Sequence, residues 1–143
     1  MEAGAHADYD AVMALDEESL RDLVRDGLPS QKVWAAWRLA LLVGPQADAA
    51  LTAALADEPT AGVRAHWVIV LFSHGESDLV AVLARHDPSP LVRETAARYL
   101  APTAGRSSSV ALGPALAACL TDAAPRVRQT AVRYLSADPG PEL

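Results

Sequence analysis

Residues 87–100 read DPSPLVRETAARYL and residues 122–135 read DAAPRVRQTAVRYL. Each stretch opens on an acid, passes a proline and a Val-Arg pair, and continues as a helical apolar pattern that ends on leucine. Residues 57–71, DEPTAGVRAHWVIVL, repeat the scheme, and residues 28–41, LPSQKVWAAWRLAL, repeat it more loosely, with Val33-Trp34 in place of Val-Arg. Aligned on their valines, Val33, Val63, Val92 and Val127 stand 30, 29 and 35 residues apart. Self-similarity at that period marks a stack of small units, none of which buries enough surface to fold alone.

Each period holds two short helices, an A helix followed by a B helix, with an acidic, proline-bearing turn between them. Ser89-Pro90 reads as an N-cap followed by a first-turn proline, whose missing N–H is not needed there. Asp16 caps a helix carrying Leu20, Leu23 and Val24 that Gly27 closes. The pattern predicts A helices near 17–26, 46–56, 77–86 and 114–121, B helices near 31–43, 60–73, 90–101 and 125–136, and a short extra helix near 8–14. On helix B the valine, the position four later (Trp37, Trp67, Ala96, Ala131) and the position eight later (Leu41, Leu71, Leu100, Leu135) share one face, read as the core.

These spacings predict an N-terminal extension at 1–15, a repeat domain at 16–136 and a tail at 137–143. The repeats fall near 16–43, 44–74, 75–101 and 113–136. The stretch 101–113, APTAGRSSSVALG, reads as a flexible insertion that accounts for the 35-residue interval.

Composition agrees. The chain of 143 residues is 51% hydrophobic but only 5% aromatic, which favours closely packed helices over sheets. Its net charge of -6 disfavours a general nucleic-acid binder. One cysteine, Cys119, rules out an internal disulfide, and with no secretory or membrane-spanning pattern the expected location is cytoplasmic.

The segment D-x-x-P-x-V-R-x-x-A-x-x-x-L resembles the HEAT repeat, in the short form of phycobilin-lyase-type HEAT proteins. The resemblance spans about 16–136. It implies an all-α fold, a right-handed α-solenoid of about four HEAT-like helical hairpins whose B helices line a concave, protein-binding surface. It also implies a ladder between repeats, formed by Asp57, Asp87 and Asp122 with Arg64, Arg93 and Arg128, which Trp34 interrupts at the first copy. The same arginines are the residue type that would hold an anion, the competing reading.

Two and six residues past the valine lies a second column: Ala35, Ala65, Glu94 and Gln129, then Leu39, Ile69, Arg98 and Arg133. Its last two copies read as a solvated face, with Glu94 and Arg98 a surface pair. Its first two are apolar. They form either a partner patch, together with Trp34, or a face that turns inward or is covered by the N-terminal segment. Trp37 and Trp67 sit where later copies place alanine, which reads as core filling. The histidines show no two-ligand spacing and no metal or cofactor is expected. Cys119, at helical spacing with Leu112, Leu116 and Leu120, reads as a core thiol.

The functional expectation is a non-enzymatic scaffold or adaptor that binds another protein of unspecified identity along the B helices. A second expectation is a homo-oligomer through the terminal repeat, since the last B helix has no capping repeat beyond it. A third is an enzyme. The tryptophans resemble those of HEAT-like alkylpurine DNA glycosylases, which hold DNA in a basic groove with a catalytic aspartate. Against it stand the short chain, the negative charge and the lack of a matching aspartate.

Overall fold

The computed structural model describes residues 9–103 and 112–136. Among them are eight α-helices and no strand: α1 (Glu17–Asp26), α2 (Pro29–Val43), α3 (Ala47–Leu55), α4 (Ala61–Ser73), α5 (Ser77–His86), α6 (Pro90–Leu100), α7 (Leu112–Leu120) and α8 (Pro125–Ser136). Residues 9–13 are also helical, and single 3-10 turns follow α2 and α6, at Gly44–Gln46 and Ala101–Thr103. Leu112 and Gly113 open α7, so the expected loop 101–113 is shorter at both ends. Its residues 104–111, and the tail 137–143, lie outside the described residues.

The chain forms two compact units, Met1–His74 and Gly75–Leu143. In the first, α1 and α2 form one hairpin and α3 and α4 the next. A helix packs on A helix (α1 on α3) and B helix on B helix (α2 on α4). The second unit repeats the plan, with α5 on α7 and α6 on α8.

Local chemistry sets the helix ends. The Asp16 carboxylate accepts the Ser19 N–H at 2.9 Å, and Glu17 and Glu18 follow it in the positive first turn. Ser89 Oγ accepts the Leu91 N–H at 3.2 Å. Three B helices begin on proline, at Pro29, Pro90 and Pro125. Gly44 and Gly75 turn the chain out of α2 and α4 with φ of 62° and 83°, a conformation in which a side chain is strained.

The B-helix starts reveal a correction to the repeat register. Pro90 precedes Val92 by two residues and Pro125 precedes Val127 by two, and Ala61 stands likewise before Val63. In α2 the residue two past Pro29 is Gln31, not Val33. Burial agrees. In α6 the buried positions are Val92, Ala96, Ala97 and Leu100, and in α2 they are Ala35, Ala36 and Leu39, the same offsets counted from Gln31. The expected core residue Leu41 is instead 74% exposed, and Trp37 is half-buried. Gln31 accepts the Leu28 N–H at 2.9 Å through Oε1, so this copy spends its valine position on holding the helix start.

The core is apolar. Leu20, Leu39, Leu51, Trp67 and Leu71 are fully buried in the first unit, and Val80, Val92, Leu100 and Cys119 in the second. Each such large side chain contributes about 1.5–3 kcal/mol relative to exposure. Alanines at Ala35, Ala36, Ala96 and Ala97 let the B helices approach closely.

Candidate functional site

The A-to-B turns carry a recurring set of polar contacts. Arg93 donates from Nη1 to the Asp87 carbonyl at 2.8 Å, six residues back, and grips the Asp122 carboxylate of the following copy through Nε (2.8 Å) and Nη2 (3.1 Å). Asp122 also accepts the Ala124 N–H at 2.8 Å, which closes its own turn. Asp87 holds the Ser89 N–H in the same way at 2.9 Å. Arg64 donates to the Glu58 carbonyl at 2.9 Å, and Arg128 to the Asp122 carbonyl at 2.6 Å, each again six residues back.

This geometry changes two of the sequence-based assignments. The acid six residues before Arg64 is Glu58, which is buried, whereas Asp57 is exposed. Nor does the first copy lack a cation. Lys32 Nζ reaches Glu58 Oε1 at 2.6 Å, with the two side chains 14% and 2% exposed, while Glu58 Oε2 holds the Thr60 N–H at 3.0 Å. In the corrected register Lys32 occupies the arginine position, and Trp34 lies two residues beyond it. The Trp34 ring packs edge-on against Tyr9, centroids 5.0 Å apart. A lysine spaced like the arginines was the sequence signal, hidden by aligning on the wrong valine.

The guanidinium of Arg93 holds Asp122 below the usual carboxylate range, chiefly through its hydrogen bonds, and Asp122 in turn raises Arg93. Cys119 lies beside this pair. Burial, helped by the Asp122 charge, pushes its thiol up to about 11, which removes the thiolate that nucleophilic chemistry needs.

The second column is reordered as well. Ala35 and Leu39 are fully buried and Ala65 nearly so, and Ile69 is half-buried. The apolar partner patch placed on Ala35 and Leu39 is therefore core: in the corrected register these residues stand with the buried Trp67, Ala96 and Ala131 at the four-later position and the buried Leu71 and Leu100 at the eight-later position. The positions two and six past Gln31 are Val33 and Trp37, both half-buried. Trp67 is fully buried and donates its indole N–H to the Lys32 carbonyl at 3.2 Å.

In the second unit Glu94 does not pair with Arg98. It receives Arg126 at 2.7 Å and the Thr130 hydroxyl at 3.1 Å, both from α8. Arg98, Gln129 and Arg133 are exposed. Arg98 and Arg133 lie 6.0 and 5.6 Å from the Tyr134 ring centroid, which places two cations at one aromatic ring.

Two further features belong to the first unit. His74 Nδ1 meets Asp48 Oδ1 at 2.6 Å, and Asp48 Oδ2 is buried without a hydrogen-bond partner. A cleft of about 350 Å³ lies among α1, α2 and α3, lined by Arg21, Arg25, Lys32, Asp57 and Glu58 over small alanines. Its cations are already engaged, Arg21 by Glu17 at 2.9 Å, Arg25 by Asp22 at 2.8 Å and Lys32 by Glu58. Among the described residues no group of three or more metal-ligating side chains converges, and no helix is long and apolar enough to cross a membrane.

The family model of HEAT repeats matches residues 76–142. With its two stacked hairpins and the Arg93–Asp122 bridge, this stretch is built of HEAT repeats. The match is to HEAT repeats as a class and does not extend to the phycobilin-lyase form. HEAT repeats generally mediate protein interactions and are typically non-enzymatic. No curated protein and no solved structure matches the chain.

Proposed function

We propose that the protein is a non-enzymatic scaffold that holds a partner protein on the B-helix face, the concave face of the solenoid that the HEAT class implies. The observation that carries this reading is the exposed pair Arg98 and Arg133 around Tyr134 on α6 and α8, with Gln129 exposed one turn before Arg133. Arginine and tyrosine are the residue types that dominate binding energy at protein interfaces. Here they stand on two helices tied together by the Arg126–Glu94 and Arg93–Asp122 bridges, so capture needs no ordering of the backbone beneath them. A segment with carboxylates beside an apolar or aromatic side chain matches this surface. On the first unit, taken by itself, Val33, Trp37 and Ile69 are half-buried. Ala35, Leu39 and Ala65 have no part in the proposed face.

The test is affinity capture from native lysate with mass spectrometry, comparing the wild type with an Arg98→Glu, Arg133→Glu double variant whose helicity and melting curve are unchanged. A protein captured by the wild type and lost from the variant supports the assignment. Equal capture by both refutes this face, and no specific capture by either refutes the scaffold reading.

A further inference from the structure

An A-to-B turn uses one acid. Glu58, Asp87 and Asp122 each hold the N–H two residues on, at Thr60, Ser89 and Ala124. The residue just before that acid has no part in the turn bond, and it differs from copy to copy: Asp57, His86 and Thr121. In the first copy the acid six residues before Lys32 is Asp26, and the residue before it is Arg25. Arg25 and Asp57 thus occupy equivalent places on neighbouring copies of the first unit with opposite charge, and both line its cleft of about 350 Å³. No bridge joins them. Arg25 turns back onto its own helix, to Asp22 at 2.8 Å and Asp26 at 3.1 Å. The exposed Asp57 carboxylate has no partner among the described residues.

The cleft stays open because α3 lines it with Ala50, Ala53 and Ala54, side chains too short to fill the space beside Arg21 and Val24 of α1. Lys32 and Glu58 also line it, but their charges cancel in a nearly buried bridge. The charge open to a ligand therefore comes from α1 and from the turn after α3. On α1, Arg21 and Arg25 stand one turn apart on one face. Arg21 donates only from Nε, to Glu17, and Arg25 from Nε and Nη2, so three N–H-bearing nitrogens keep no partner among the described residues: Nη1 of both and Nη2 of Arg21. The pairs already made are exposed and contribute little. They yield to a carboxylate that a guanidinium holds through two parallel N–H groups. On the other side Asp57 follows the last residue of α3, Leu55, by two, so the negative end of that helix adds to its pull on a cation.

We infer that this cleft binds a short zwitterionic peptide, its terminal carboxylate on Arg21 and Arg25, its terminal ammonium at Asp57, and its small side chains over Val24 and the alanines. The volume lies at the lower end of the range for small-molecule sites. A peptide fits where a single amino acid does not, because each residue sets its two charges apart by about 3.3–3.6 Å, as the cationic and anionic sides of the cleft are apart. Binding is modest and falls with salt, since exposed charges drive it.

The experiment follows the backbone amide signals of the isotope-labelled full chain by NMR at low salt, during titration with trialanine, N-acetyl-trialanine or trialanine amide. Wild type saturates with trialanine at a Kd on the order of 1 mM, with the largest shifts at Arg21, Arg25, Ala53 and Asp57. It binds each capped peptide about tenfold more weakly, because each cap deletes one charge contact. Asp57→Asn binds trialanine and its N-acetyl form alike and still discriminates against the amide. The Arg21→Gln, Arg25→Gln double variant does the reverse. Circular dichroism checks that both variants keep the wild-type helicity. The inference is overturned by a wild type with no saturable shift well above that Kd, by capped peptides that bind as well as the free one, or by variants that keep the wild-type preferences. Because neither Arg98 nor Arg133 takes part, the outcome is independent of the partner face proposed above.

Discussion

Removing one side of the Arg93–Asp122 bridge measures how much the turns contribute to stability. The Arg93 and Asp122 side chains are only 15% and 9% exposed, and the carboxylate accepts two guanidinium N–H groups and one backbone N–H. An exposed pair contributes about 0–1 kcal/mol, whereas stripping one partner from a buried pair costs about 3–5 kcal/mol. At this burial Arg93→Ala costs about 2–4 kcal/mol, because Asp122 keeps only the Ala124 N–H. Asp122→Ala costs a similar amount, losing that turn bond while Arg93 keeps its bond to the Asp87 carbonyl. The double variant loses less than the sum, with a coupling of about 1–3 kcal/mol. Urea unfolding at pH 7 followed by circular dichroism reads all four proteins. The pH dependence adds a sign. Asp122 sits below its ordinary value of 3.8 in the folded protein. The stability it contributes is therefore fully present above that value and is lost as pH falls through the lower folded one. The Arg93→Ala protein should lack most of that acid-side loss. A coupling under about 0.5 kcal/mol, with identical acid limbs in wild type and variant, would refute the reasoning and reduce the bridge to a surface pair.

Two other outcomes follow from burial. Leu39→Ala, at a fully buried site, should cost about 2–5 kcal/mol in the same urea assay, and Leu41→Ala, 74% exposed, should stay within about 0.5 kcal/mol of wild type; the reverse order would restore the valine register. Cys119, fully buried and with its thiol pushed up to about 11, should resist a thiol reagent at pH 8 and react at once in denaturant; rapid labelling of the native protein would contradict its placement.

The helical hairpins were legible in the sequence because their signals are local. Prolines at helix starts, glycines at helix ends and apolar spacing at 3.6 residues do not depend on distant partners. The copies at 87–100 and 122–135 share Pro, Val and Arg at fixed positions, and there the turn contacts could be written down residue by residue. The first copy failed for a reason equally local. Its valine position holds Gln31 and its arginine position Lys32, and a stray valine two residues later drew the alignment after it. A two-residue slip turns a helix face by about 160° at 3.6 residues per turn. Core residues Ala35 and Leu39 then look like surface, and exposed Leu41 looks like core. Glu58 was missed because Asp57 beside it is also acidic, and only the length of the turn distinguishes them. The pairing of Glu94 with Arg126 rather than Arg98 depended on the neighbouring hairpin, which one helix does not encode.

The bond from Arg64, Arg93 and Arg128 to the carbonyl six residues before each has a consequence for where this chain tolerates extra length. Between acid and cation the spacing is six in every copy, while Lys32, Arg64, Arg93 and Arg128 follow one another at intervals of 32, 29 and 35. All the variation falls outside the A-to-B turn, and the longest interval spans the corner between α6 and α7. Extra length placed between α6 and α7 leaves every acid-to-cation spacing unchanged. A single residue gained or lost between Asp87 and Arg93 would carry the guanidinium round the helix and off both of its acceptors. For anyone who wishes to tag, label or fuse this protein, one kind of corner is open and the other is closed.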